Sequence, residues 1–315
     1  MSNSYNNTAV SDSPIIPKIC HMYWDGSPFS LLNAISVMSF KKYHPDWEIR
    51  MYQPISKYEH KSWNTDEQKT LYTKNDYFNV LSQFGVKFIS IDFEQIGFKN
   101  NVSEVIKSDY LRYWALYTYG GVWSDCDIVY IKNITSVIDN TADTVVCSDR
   151  VTGYSPTFPV GFLMCSKGNT VFRDILSKCN TSFDPKHYQC LGTGLLCSLF
   201  KNSVDYVRKA YPQHKIFAID KSYYLPFDWD KLHEIYDLDC DRKITGNCFG
   251  IHWFNGAHKS KVYQNNLDDF VHNRDNRDNR EGVSTAKFNT DSTIFKYIRE
   301  YLYSPEIINA QRKDY

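Results

Sequence analysis

Between residues 15 and 91 the chain alternates between two hydrophobic periods, and that alternation limits its fold more than any other feature. "IIPKICHMYWDG" reads as a first strand running into a loop at Asp25-Gly26. "SLLNAISVMSFKKY" has helical spacing and stops before "HPDW". "WEIRMYQP" reads as a second short strand ended by Pro54, and a helical stretch is expected around Asp66 to Phe84 before "VKFISIDF", which has strand character. Strands separated by helical periods predict a parallel sheet covered by helices, an α/β fold. At 315 residues the chain has room for one large domain of this kind or two small ones.

The next segment is "SEVIKSDYLRYWALYTYGG". Val105, Asp109, Arg112, Tyr113 and Leu116 fall at helical intervals, and Gly120-Gly121 supplies the stop. A strand, "VWSDCDIVYI", is expected to begin at once. The second half is less regular, with "TVVCSD", "PVGFLMCS", a helix near Asn169 to Ser177, "GTGLLCSLF", "IFAID" and "NCFGIHWF". "HNRDNRDNR" is low in complexity and reads as a solvated loop or helix surface. "DSTIFKYIREYLYS" predicts a terminal amphipathic helix with Asp291 or Ser292 as its cap, packed on the domain.

Asp125 and Asp127 stand one residue apart in the expected strand. Residues two apart on a strand share a face, so the two carboxylates should project together while Cys126 and Ile128 turn inward. Like charges that close raise one another's pKa. A divalent cation between them, or between one of them and a diphosphate, makes the arrangement favourable, and carboxylate oxygens suit Mg²⁺ or Mn²⁺. Alone, a D-x-D tripeptide is more often a solvated strand end. Here Asp109 and Arg112 share a face of the preceding helix, and only the glycine pair separates that helix from the carboxylates. Asp109 can accept from sugar hydroxyls and Arg112 can donate in a forked geometry. The array S-D-x-x-R-x-x-x-L-x-x-x-G-G-x-x-x-D-x-D is far more specific than any of its parts.

Composition narrows the class. Lys+Arg and Asp+Glu both number 36, so no basic field points to nucleic acid or an anionic membrane. Aromatic residues reach 16%, which favours a sugar site only slightly over plain core packing. The nine cysteines are scattered without a C-x-x-C pair, the pattern of reduced thiols rather than a zinc site or a disulfide frame. "MSNSYNNTAVSDSP" has no apolar h-region, and no run approaches a membrane span, so a cytoplasmic protein is expected. A peripheral membrane contact through the C-terminal tail stays open.

"SDYLRYWALYTYGGVWSDCDIVYIKNI" resembles the core of glycosyltransferase family 32. That D-x-D family includes initiating α-1,6-mannosyltransferases and capsular polysaccharide sugar transferases, and the glucosylating toxins carry a related core. "IPKICHMYWDGSPF" is similar to the family's opening I-P-K-I-I-H-x-x-W-x-G, and "GIHWFNGAHKS" to its later H-x-W segment. The resemblance spans residues 15 to about 260. It implies a GT-A fold, meaning a Rossmann-like mixed sheet flanked by helices. It also implies a nucleotide-sugar donor, usually Mn²⁺, and transfer with retention. UDP is the expected carrier, with GDP second.

Position by position, the resemblance implies that Trp24 stacks on the donor base. Asp109 and Arg112 would hold the donor sugar with Ser108 nearby, and Asp125 would touch ribose or sugar hydroxyls. Asp127 would bind the metal, with His252 as second ligand and His258 as the fallback; His21 reads as a local hydrogen-bonding residue. Gly192, Thr193 and Gly194 fall where the family has an acceptor-side T-G-P-like segment, with Leu195 in place of its proline, and Asp149 is a further candidate for the acceptor side.

The expected domains are a disordered lead over residues 1–14, a GT-A domain over 15–265, and a polar loop with a C-terminal helix over 266–315. The expected partners are a nucleotide sugar and a glycan, glycolipid or protein acceptor, with no nucleic acid. Two other readings stand beside a transferase: a glycoside hydrolase using the carboxylate pair, and a non-catalytic sugar-binding or scaffold protein on the same fold.

Overall fold

The computed structural model describes residues 16–57, 70–98, 102–150, 156–272 and 288–312. The expected lead over 1–14 and nearly all of "HNRDNRDNR" lie outside those residues.

Strands β1 (Ile19–Tyr23) and β2 (Glu48–Pro54) pair in parallel through helix α1 (Leu31–Tyr43). Ser30 caps α1 by accepting the Asn33 N–H. Every residue from Leu31 to Phe40 is buried, including Asn33, Ser36 and Ser39. Those polar groups are satisfied inside: Asn33 donates to the Cys126 carbonyl (3.0 Å), Ser36 accepts from the Trp253 indole (2.9 Å), and Ser39 accepts from the Tyr130 N–H (2.8 Å). A helix that would otherwise only cover the sheet is thereby fastened to the carboxylate region.

The second crossover departs from expectation. Residues 58–69 lie outside the described set, and the described remainder forms an irregular segment and a 3₁₀ turn over Phe78–Phe84 instead of an α-helix. The Asp76 carboxylate accepts the N–H groups of both Phe78 and Phe29 (3.0 Å each), and this local competition displaces a helical ladder. Strand β3 (Lys87–Ile91) then pairs in parallel with β2.

Helix α2 (Glu104–Tyr119) ends at Gly120, and β4 (Gly121–Ser124) starts immediately. Gly121 has φ +101°, and a Cβ there would collide with the Ile19 carbonyl. Only glycine lets α2 turn so tightly onto β1. The expected single strand is in fact two. β4 stops at Ser124, Asp125-Cys126-Asp127 forms a turn, and β5 (Ile128–Tyr130) leaves for a small second sheet. The Asn33 amide takes the Cys126 carbonyl that a continuing ladder would have used.

The remaining elements are β6 (Thr144–Ser148), β7 (Phe162–Cys165), α3 (Thr170–Ser182), α4 (Thr193–Phe200), α5 (Val204–Ala210), β8 (Ile216–Asp220), α6 (His233–Tyr236), β9 (Gly250–His252), α7 (His258–His272), α8 (Thr293–Ile298) and α9 (Pro305–Arg312). The main sheet has the order β3-β2-β1-β4-β7-β6-β8, and β5 pairs with β9. Within that sheet β7 runs antiparallel to both neighbours and every other described pairing is parallel. This is the mixed, helix-flanked sheet expected of a GT-A fold.

Alternate strand residues feed two cores. Met22, Met51, Val122 and Phe162 join α1 and the C-terminal helices, while Tyr23, Tyr52, Trp123 and Leu163 join α2, α3 and α4. The terminal segment breaks after Ile298 into a 3₁₀ turn over Tyr301–Tyr303, since Ser304 must be extended before Pro305. Ile294, Phe295, Ile298 and Leu302 are buried in the first core.

Candidate active site

Six strands of the main sheet point the same way, so their carboxyl ends share one edge with the start of β7. In open α/β sheets this edge is where ligands bind. Asp125 and Asp127 sit on it, in the turn that leaves β4.

Asp109 and Arg112 face this edge from one side of α2. Both are 4% exposed, and their N–O distance is 2.7 Å. Arg112 also donates to the Val160 carbonyl and stands 3.7 Å from Asp125 Oδ1, with its guanidinium 5.1 Å from the centre of the Trp123 ring. The Trp123 indole donates to the same Asp125 oxygen (2.8 Å). Burial pushes the Asp125 carboxyl up, Arg112 pulls it down, and Asp127 adds to the rise, leaving it above the ordinary value.

Asp127 is held differently. Its Oδ2 accepts the Asn255 N–H (2.8 Å), and its Oδ1 lies 3.2 Å from His252 Nε2. The β5–β9 register pairs Ile128 with His252, which brings the ring to the turn. Burial opposes the Asp127 charge most, but His252 and the Asn255 N–H outweigh it and hold the carboxyl below the ordinary value. One ligand atom from each of Asp125, Asp127 and His252 lies within 4.8 Å of the others. Two carboxylates and an imidazole gathered this closely fit a divalent cation.

The other expected residues fall as follows. Trp24 follows β1 half-buried, with its indole donating to the Ser27 carbonyl (2.6 Å) and its ring edge-on to Phe29 at 4.7 Å. Ser108 is half-buried beside Asp109. A Cβ on Gly192, before α4, would fall 2.9 Å from Asp109 Oδ2, so this backbone passes directly over the Asp109–Arg112 pair. Thr193 and Gly194 open α4, and Leu195 is buried in the second core. His258 bonds to Thr70 and is not in the three-residue cluster. His21 is buried, contacting the Gly120 carbonyl (2.8 Å) and the Tyr52 hydroxyl (3.1 Å), so it pins the glycine turn. Asp149 follows β6 and lies 3.3 Å from Lys221.

Sequence reasoning missed several supports. Asn33, Trp123 and Asn255 orient the carboxylates, and the polar residues inside the apolar α1 pattern were the available signal for the first. Gly161 was missed too. A Cβ there would fall 2.9 Å from Asp125 Oδ2, and a glycine entering a strand pattern signals such close approach. Lys261, buried on α7, donates to Asn255 Oδ1 (2.7 Å) and is lowered to about 8 by burial, against the pull of Asp127 and Asp25.

Residues 32–144 match the family model described as "Glycosyltransferase sugar-binding region containing DXD motif". Residues 164–273 match one described as "Alpha 1,4-glycosyltransferase conserved region". The chain belongs to the DXD glycosyltransferases. In this DXD glycosyltransferase, Asp109, Arg112, Asp125 and Asp127 come from the first matched segment and His252 from the second, so the cluster joins the two. No curated protein matches the chain.

Among solved structures, a galactosyltransferase LgtC in complex with donor and acceptor sugar analogues is similar at 16% identity, over 75% of this chain and 87% of that one, with a TM-score of 0.43. The PaToxG glycosyltransferase shares 18% identity over 63% and 76% of the two chains, with a TM-score of 0.41. A UDP-bound glycosyltransferase domain from the YGT toxin shares 11% over 65% and 80%, with a TM-score of 0.39. No helix among the described residues is long and apolar enough to cross a membrane.

Proposed function

We propose that the protein transfers a hexose-type sugar from a nucleoside diphosphate sugar, UDP-linked rather than GDP-linked, to a hydroxyl of a glycan, glycolipid or protein, with retention at the anomeric carbon. The observation that carries this reading is the convergence of Asp125, Asp127 and His252 to within 4.8 Å, beside the buried Arg112. Asp127 and His252 would hold Mn²⁺ or Mg²⁺ with Asp125 adjoining, and the ion would supply positive charge to a departing diphosphate. Arg112 adds a fixed cation in a water-poor setting, where charge stabilisation is strongest. Asp109 orients Arg112 and can accept from a donor hydroxyl. Trp24 offers an indole face at the end of β1 for the base. Retention follows the family resemblance. Nine free thiols suit a reducing compartment, and we assign the protein to the cytoplasm.

A glycoside hydrolase fits less well. Its two carboxyls stand across a sugar from one another, one of them placed to protonate the leaving oxygen. Here the two carboxylates are neighbours in one turn, and one is committed to an imidazole. The test is nucleotide release from a panel of UDP- and GDP-sugars, with Mn²⁺ or with chelator, by the wild type and Asp127→Ala. Release from one donor that needs both the metal and Asp127 is expected. Binding of glycans without turnover of any donor, by folded protein, would support the scaffold reading instead.

A further inference from the structure

The carboxylate cluster occupies only half of the carboxyl edge. In the sheet order, β6 and β8 lie beyond β7 and run parallel to β4, so their carboxyl ends lie on the same edge as Asp125. From β4 to β6 is two strand spacings, about 10 Å, which leaves room for a transferred sugar and the hydroxyl that attacks it.

That second half is built of polar groups with spare capacity. Ser148 ends β6, opposite Asp220 of β8 in register. Its hydroxyl is buried with no hydrogen-bond partner among the described residues. Lys221 stands 3.3 Å from Asp149 and 2.9 Å from Asp228. Trp229 follows Asp228 and is 74% exposed, the most open large apolar side chain among the described residues. The segment from Lys221 to Trp229 also reaches the cluster. The Tyr224 carbonyl accepts the His252 N–H (2.8 Å), and the Tyr224 ring borders Gly161, as Asp125 does.

We propose that Ser148, Asp149, Lys221 and Trp229 form the acceptor subsite, and that it takes an uncharged sugar. This rests on the transferase reading above. A carboxylate beside an ammonium offers an acceptor and a donor to neighbouring sugar hydroxyls, and the indole offers a face for the ring's C–H surface. Asp149, Asp220, Asp228 and Asp230 outnumber Arg150, Lys221 and Lys231 by one, so no surplus positive charge draws in an acidic sugar. In the transfer, the acceptor oxygen bonds to the anomeric carbon, that carbon's bond to the diphosphate oxygen breaks, and the hydroxyl proton leaves with the diphosphate.

The experiment measures nucleotide release from the active donor in water alone and with added methyl glycosides. The panel is glucoside, galactoside, mannoside, N-acetylglucosaminide and glucuronide, with the wild type, Asp149→Asn, Lys221→Met and Trp229→Ala. A neutral glycoside should stimulate the wild type and the glucuronide should not. Each variant should lower the ratio of stimulated to water-only release by about tenfold, equivalent to one lost contact of about 1.4 kcal/mol. The effect of Trp229→Ala should appear in the glycoside KM. A ratio unchanged in all three variants, a parallel fall of both rates, or stimulation only by the glucuronide would overturn the assignment. So would hydrolysis that no glycoside stimulates. Failure of the wild type to release nucleotide from any donor would instead remove the transferase reading, and this inference with it.

Discussion

Trp123 and Arg112 converge on one oxygen of Asp125: the indole N–H donates to Oδ1 at 2.8 Å and the guanidinium approaches it at 3.7 Å, while the same guanidinium is paired with Asp109 at 2.7 Å. Arg112 is therefore shared between two carboxylates, both of which lose a buried cation if it is removed. Arg112→Ala should destabilise the protein by about 3–5 kcal/mol, because it strands Asp109 in the interior. Arg112→Lys should cost less stability but still impair turnover, since an ammonium cannot reproduce the fork. Urea unfolding and donor turnover, measured on both variants, separate the two effects.

Gly161 keeps Asp125 accessible. A Cβ at that position would fall 2.9 Å from Asp125 Oδ2, so Gly161→Ala should displace the carboxylate while leaving the strand pairing intact. Misplacement of a reacting group by about 1 Å typically costs about 100-fold. The expected result is a loss of kcat/KM of that order with a near wild-type melting temperature.

Asn33 holds the turn between the two carboxylates through the Cys126 carbonyl. Asn33→Ala should cost about 1–3 kcal/mol, the usual penalty for a buried carbonyl left unpaired. It should also weaken Mn²⁺ binding, read directly by electron paramagnetic resonance without any donor present. Equal Mn²⁺ affinity in the variant would show that the turn keeps its shape without this bond.

Much of this was readable in advance, for identifiable reasons. α1 and α2 were legible from their helical spacing, with Gly120-Gly121 as the stop of α2. The D-x-D pair was legible as chemistry but not as geometry. The turn depends on Asn33, 93 positions from Cys126, and no local pattern reports such a contact. His252 reached the site through the β5–β9 register, which pairs it with Ile128, and only the family resemblance pointed to it beforehand. The second crossover misled because Asp76 spends its carboxylate on backbone N–H groups, a choice that helical periodicity does not reveal.

Acid should destabilise the fold through His21 and His44. Both rings are buried and titrate at about 4 against an ordinary 6.5, with burial as the leading cause. The unfolded chain therefore takes up protons first as pH falls. The stability held by the neutral rings is complete above 6.5 and is lost as pH falls toward 4. Each ring contributes at most on the order of 3 kcal/mol. Urea unfolding between those limits should show a falling midpoint, and His21→Gln should flatten the slope.

Asp127 and its neighbours are expected to bind a cation that in turn holds a nucleoside diphosphate. Calorimetric titration of UDP into the protein, with Mn²⁺ and with chelator, for the wild type and Asp127→Asn, tests it most directly. Binding by the wild type with Mn²⁺ is expected, with at least tenfold weaker binding when either the metal or the carboxylate is removed. Equal UDP affinity in chelator, or in a folded Asp127→Asn protein with Mn²⁺, would contradict it.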